Sequence, residues 1–385
     1  MKIKLLSTPF LPRLIFRYLS LFLVAFQIII FIPLLSIEDL AIFFLLKSFI
    51  ETMKRVFSGL SGVGFYQSNY KKNSEALENI ILHFFIYTLI SLFTALSITL
   101  LIYIDSITIN IFNYFSSITY YDYIFFIIWM TFSLASKPGN HIFQIFRFNK
   151  LTGFITVFSP TFFTSVIALI FYLKSNINLT TFLFSFGIGN FINFLLISLF
   201  VFKNIKIKKI RDKTFKNFLK MTSLSESLLG FTTSLRMQSI LWFLSYYNEN
   251  TMLVIIGFYN WLFPLIFYPS QAIFTSLRST FFSIVDSKNN LDFKNFINKI
   301  SFMNASYFSV ILIIVTLAYF INENMMPFQN FSNISFLLYS HELFLLLISI
   351  FSAYFLSAIF FKHLSGVVSQ LKNGNQMTVI NLLST

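Results

Sequence analysis

The sequence predicts an all-α polytopic membrane protein of about 10 transmembrane helices. Three observations carry that expectation. Of 385 residues, 56% are hydrophobic and only 11% are charged, and Phe alone occurs 56 times. A water-soluble surface draws on about 25% charged residues, so this chain cannot cover a globule in water, and lipid is its solvent. The apolar residues fall into stretches long enough to cross a hydrocarbon core, which takes about 20 residues of helix. The bases between those stretches alternate, plentiful in one loop and scarce in the next.

The spans are expected near Tyr18–Ser36, Leu40–Tyr66, Asn79–Ile104, Asp122–Phe146, Thr152–Leu173, Leu179–Phe202, Leu219–Tyr246, Leu253–Ile284, Phe302–Ile321 and Glu342–Phe361. The second, fourth, seventh and eighth carry charges or prolines; the third, fifth, sixth and ninth are cleaner. A bundle with a polar interior shows that contrast, because intramembrane charges face protein or water-filled cavities. The intervening loops are too short for a folded domain. Within the Asp105–Tyr121 loop, Ile107–Ile118 suits a short interfacial helix.

Net charge is +14. The bases sit at Lys2, Lys4, Arg13 and Arg17, at Lys71 and Lys72, at Arg147 and Lys150, in Lys203–Lys220, at Lys288, Lys294 and Lys299, and at Lys362 and Lys372. The alternate loops hold Lys174 alone. Short basic loops stay in the cytoplasm, which gives a cytoplasmic N-terminus. The charge reads as topology signals beside anionic lipid headgroups, and nucleic acid is not expected as a partner. The run Lys203–Lys220 then reads as a cytoplasmic joint. There is no Cys, and the four His residues show no metal-ligand spacing, so no metal or cofactor is expected. No small-residue cleavage site follows the first apolar run, so the first span is expected to stay in the mature protein.

The halves on either side of the joint show a weak internal repeat, a feature of many transporters. At an offset of 226, Gln144 meets Gln370, Asn149 meets Asn375 and Thr152 meets Thr378. At an offset of 216, Lys72 meets Lys288 and Asn73 meets Asn289. The domains follow: an N-terminal six-helix lobe over 1–202, a basic linker over 203–220, and a C-terminal lobe over 221–385. The second lobe has four helices plus the start of a fifth at Met377–Thr385, so it is expected to be incomplete.

Several stretches resemble the Wzx-like polysaccharide flippases of the multidrug/oligosaccharidyl-lipid/polysaccharide exporter superfamily. FKNFLKMTSLSESLLGFTTSLRMQSILWFLSYY, from Phe215, is similar to the family's seventh span after its basic linker. MLVIIGFYNWLFPLIFYPSQAIFTSLRSTFFSIVDSKNN, from Met252, is similar to the eighth, with Gly-x-Tyr near its start and Pro in the middle. Lys71–Lys72 and the turn at Arg147–Lys150 also match the pattern. The resemblance implies a MATE-like bundle of two lobes in the bacterial inner membrane. The cargo it implies is a polyprenyl-pyrophosphate-linked oligosaccharide for O-antigen or capsule-type polysaccharide. A polysaccharide polymerase and chain-length proteins are implied as partners. The chain departs from the family twice. Family members usually have twelve spans, and often an Asp in the seventh, where this chain has Arg236-Met237-Gln238. The first departure bears on full activity, the second on cation coupling.

A cargo of that kind needs a polar path with cations for its phosphates. Arg236 lies roughly 25 Å into the seventh helix at 1.5 Å per residue, too deep to snorkel, and Arg holds phosphate with paired donors. A structural tie to carbonyls or an acid is the plainer reading. Lys47, Glu51 and Arg55 share a face at spacings of four, with Lys54 beside them. They form either a charged cavity wall or a ladder neutralised by Glu51. Lys137 precedes Pro138, which can kink a helix and free a carbonyl, and it sits either in the cavity or at the cytoplasmic surface. Gln27 and Gln271 are cavity candidates, although a lone amide is more often helix-packing glue. Glu226 and Glu51 are candidates for proton or ion coupling.

The expected activity is flipping by alternating access of the two lobes, without enzymatic chemistry. The alternatives are a membrane polysaccharide polymerase, which usually has a large outward loop, and a MATE-type drug or ion exporter, which favours more buried carboxylates. Arg236→Ala is expected to abolish complementation of a deletion strain at unchanged protein level, and Lys174→Ala to leave it intact.

Overall fold

The computed structural model describes residues 15–261 apart from positions 17–18, 21, 25, 28–29, 32–33, 70–74, 110–114, 116, 146–153, 205–223 and 258–259. It gives backbone alone for 58–69, 75–83, 109, 139–145, 156–157, 203–204, 224–226, 229, 233 and 236–237. The last two expected spans, all of the eighth beyond position 261, Gln271, most of the basic joint and the second half of the repeat lie outside the described residues. The chain divides into two compact units, Met1–Trp261 and Leu262–Thr385, and every described residue belongs to the first. That unit runs past residue 202 and takes in the seventh expected span.

Among the described residues the structure is 92% helical, with no strand. Helical stretches between 15 and 30 form α1. There follow α2 (Ile37–Asn69), α3 (Glu75–Ile104), α4 (Tyr120–Ile145), α5 (Ser159–Leu173), α6 (Leu179–Asn204) and α7 (Leu224–Tyr246). Stretches 250–257 and 260–261 are labelled α8. These bounds match the expected spans to within a few residues. Two helical segments, Phe84–Thr108 and Leu179–Phe202, are long and apolar enough to cross a membrane.

Two local departures have physical causes. Asp105–Ile109 continues α3 as a π-helical turn, so residues 107–109 belong to that turn rather than to a separate interfacial helix. The fifth span was expected to be helical from Thr152; its α-helix begins only at Ser159, after a π-helical turn at Phe154–Phe158. Pro160 explains the late start, because proline has no backbone N–H to donate and is tolerated only in a helix's first turn. In α4 the opposite holds: the helix runs on through Pro138 to Ile145.

The apolar helices hide their hydroxyls in their own backbone. Ser91 donates to the Tyr87 carbonyl at 2.6 Å, Thr99 to Ala95 at 2.8 Å and Ser198 to Phe194 at 2.8 Å. With no water in the bilayer core, an unsatisfied polar group costs several kcal/mol, roughly. On α3, Phe84, Tyr87, Ser91, Ala95 and Ile102 are buried while Leu89, Phe93, Leu96 and Leu100 are exposed. The outward-facing stripe is thus mainly apolar, with Ser97 among its exposed residues, as suits a lipid-facing helix.

The principal packed pairs are α4 with α6, α2 with α7, α3 with α4, α5 with α6 and α2 with α4. Small residues set two of these contacts. A Cβ at Gly189 would lie 2.8 Å from the Thr164 amide nitrogen, and one at Gly230 would lie 2.6 Å from the Arg55 carbonyl oxygen. Lipid tails give no hydrophobic drive for helix association, so close backbone approach supplies it. Around the α2–α4–α6 junction sits an aromatic core. Phe43 stacks on Trp129 at 5.6 Å and meets Phe182 and Phe186 at 4.9 and 5.3 Å. Gly189→Ala is expected to destabilise the protein by about 1–3 kcal/mol through overpacking, read as a lower melting temperature in detergent; an unchanged melting temperature would count against the close α5–α6 approach.

Candidate functional site

α2 passes the centre of the described bundle and carries two polar faces. The first is a seam with α7. The Ser48 hydroxyl donates to the Leu45 carbonyl at 2.6 Å and accepts the Trp242 indole N–H at 2.7 Å. One turn on, the Thr52 hydroxyl donates to the Ser48 carbonyl at 2.9 Å and accepts from the Ser234 hydroxyl at 3.1 Å. Trp242 also stacks on Phe49. Ser227, Ser234, Gln238, Leu241 and Ser245 are the buried positions of α7, at the three-, four- and seven-residue spacings of one helical face.

The second face carries charge. Lys54 and Glu51 form an ion pair at 2.8 Å, with side chains 21% and 39% exposed. The charges of Lys47 and Lys137 also act on the Glu51 carboxylate, so α2 and α4 place three basic side chains within electrostatic range of that acid, of which Lys54 alone is in contact with it. The rise of 1.5 Å per residue puts Lys47 about 15 Å along α2 from Ile37, half the depth of a ~30 Å hydrocarbon core. Glu51 and Lys54 follow one to two turns further on, and Lys137 lies a comparable ~25 Å along α4.

Lys47 does not take the expected partner. Its ammonium is buried without a hydrogen bond and lies 3.9 Å from the centre of the Trp261 ring, with Phe44 at 6.0 Å. Such a contact contributes about 2 kcal/mol when desolvated. Of the charged face that was read as a cavity wall or a neutralised ladder, the structure shows a close pair at a spacing of three, Glu51–Lys54, with Lys47 turned to an aromatic face. Trp261 is itself 8% exposed and packs 5.6 Å from Phe43 and 6.2 Å from Phe186. Aromatic packing thus fixes the ring that holds the ammonium.

The remaining expected site residues are more scattered. Arg55 is half-buried on α2, and its carbonyl faces Gly230 of α7. Gln27, 1% exposed, donates to the Ser165 hydroxyl at 2.9 Å and the Thr161 carbonyl at 3.4 Å; it ties α1 to α5, which is the packing reading of a lone amide. Arg236 and Glu226 are on the described backbone of α7, but their side chains are outside the described residues. Position 236 lies midway between 234 and 238 in sequence, hence on the opposite helix face from those two at 100° per residue. Gln271 lies outside the described residues altogether. Sequence reasoning missed Trp261, Trp242, Ser48, Thr52 and Ser234. A signal existed for the hydroxyls, since Ser48 and Thr52 are four apart, one residue after each of Lys47 and Glu51.

A set of cations exceeding its acids, held inside helices, can receive an anion. No protein-family model, curated protein or solved structure matches this chain. Glu51→Gln leaves Lys47, Lys54 and Lys137 without their carboxylate, and breaking one partner of a low-dielectric charge group is strongly destabilising. The expected result is a clear fall in monodisperse protein on size-exclusion in detergent, partly restored by adding Lys54→Gln; additive losses would mean that the two residues are uncoupled.

Proposed function

We propose that the chain flips a polyprenyl-pyrophosphate-linked oligosaccharide across the bacterial cytoplasmic membrane, for O-antigen or capsule-type polysaccharide synthesis. The observation that carries the reading is the charge set on α2 and α4: Lys47, Lys54 and Lys137 around the single acid Glu51. A lone intramembrane cation is costly, and three around one acid leave an excess that a diphosphate would offset.

Several further observations support it. The described residues are 92% helical, without strands, and include two helices long and apolar enough to span a membrane. The alternation of basic loops supports about ten spans with the N-terminus in the cytoplasm. The sequence resemblance supports two MATE-like lobes moving by alternating access, with no catalytic step. Membrane lipids, a polysaccharide polymerase and chain-length proteins are the partners this reading names. Arg236 and Gln271 would extend the path beyond the α2–α4 cluster, and Glu226 or Glu51 would couple it to protons or ions. Deleting the gene in its host is expected to trap lipid-linked repeat units on the inner face and remove surface polysaccharide. Restoration by the intact gene but not by Lys137→Ala is the expected complementation pattern. Translocation that continues while chain elongation fails would replace this reading with a polymerase.

A further inference from the structure

We infer that Trp261 is a positioning residue for anion binding: its indole face holds the Lys47 ammonium, which makes no hydrogen bond among the described residues, so that its N–H donors serve an incoming anion. The inference rests on the anionic cargo proposed above and deepens it by naming how one cation is kept ready.

The geometry distinguishes Lys47 from its neighbours. Lys54 is 2.8 Å from Glu51 and spends a donor on it. Lys47 has Glu51 one helical turn away on the same face of α2, close enough for their charges to interact, yet makes no hydrogen bond to it. Its nitrogen lies instead over the Trp261 ring at 3.9 Å. A ring face attracts positive charge through its quadrupole but consumes no lone-pair geometry, so it neutralises part of the cost of burial without saturating the ammonium. A carboxylate at that place would do both, and an anion would then have to displace it. The ring is fixed by its own packing. Trp261 touches Phe43, Phe44 and Phe186, and Phe44 closes on Gly257 of α8 so tightly that a Cβ there would overlap the Phe44 ring. Residues 253–255, 257 and 261 are buried, so α8 presents the indole from its packed face.

The chain has only three Trp residues, Trp129, Trp242 and Trp261, so full-length protein labelled with 5-fluorotryptophan and purified in detergent gives three resolvable 19F signals. Lys47→Met keeps the volume and removes the charge; it is expected to shift the Trp261 signal and to leave Trp129 in place. Inorganic pyrophosphate is expected to shift the same signal saturably in the unmutated protein. Trp261→Leu should weaken pyrophosphate binding about tenfold, the equivalent of ~1.4 kcal/mol, while Trp261→Phe, which keeps a ring, should stay within about threefold. A Trp261 signal unmoved by Lys47→Met, or pyrophosphate binding by Trp261→Leu as tight as that of the unmutated protein, overturns the positioning role while leaving the anionic cargo standing. Failure of the unmutated protein to bind pyrophosphate, with the Lys47→Met shift present, overturns the inference together with the cargo reading beneath it.

Discussion

Hydrocarbon offers a charge nothing, and that constraint arranges the described bundle. In water each lysine of α2 would be hydrated; here each has to be satisfied by protein. Lys54 takes the Glu51 carboxylate at 2.8 Å, and Lys47 takes the face of Trp261 at 3.9 Å. The charge of Lys137 on α4 acts on the same acid. One carboxylate thus lies within range of three cations, and a ring offsets part of the cost of burying one of them.

The same constraint governs the neutral polar groups. Ser48 shows it in small compass: the hydroxyl gives its proton to Leu45 and receives one from Trp242. Thr52 repeats the arrangement with Ser234. These bonds run along the α2–α7 seam, where Gly230 lets the backbones close on Arg55. Gln27 does the equivalent work between α1 and α5. Hydroxyls and amides, spaced by turns of helix, therefore act as cross-links among surfaces that lipid would otherwise keep indifferent to one another.

Helix positions were legible in the sequence because hydropathy and turn length act locally. The ends of α3, α4, α6 and α7 match expectation to within a few residues, and so does the charged character of α2. The partners within the site were not legible. Spacing alone places Lys47 and Arg55 equally well beside Glu51, and the choice of Lys54 depends on what else surrounds α2. Trp261 lies more than two hundred residues along the chain, and among so many aromatic residues nothing local marks it out. The π-helical turn before α5 is a third case. Pro160 accounts for the late start of the α-helix, but nothing local marks the π-helical turn that precedes it.

Pro138 stands next to Lys137 inside an unbroken α4. Proline removes one amide donor and so weakens the helix against bending at that point. In a bend about a fulcrum, displacement grows with distance from it: a 20° bend carries an atom ~10 Å away through roughly 3.5 Å, by the kink angles typical of proline, and an atom at the fulcrum scarcely at all. The cation of α4 is thus mounted at the fulcrum of its own helix. The far arm of α4 can swing without dragging Lys137 away from Glu51, which separates the mechanics of that helix from the electrostatics of the cluster.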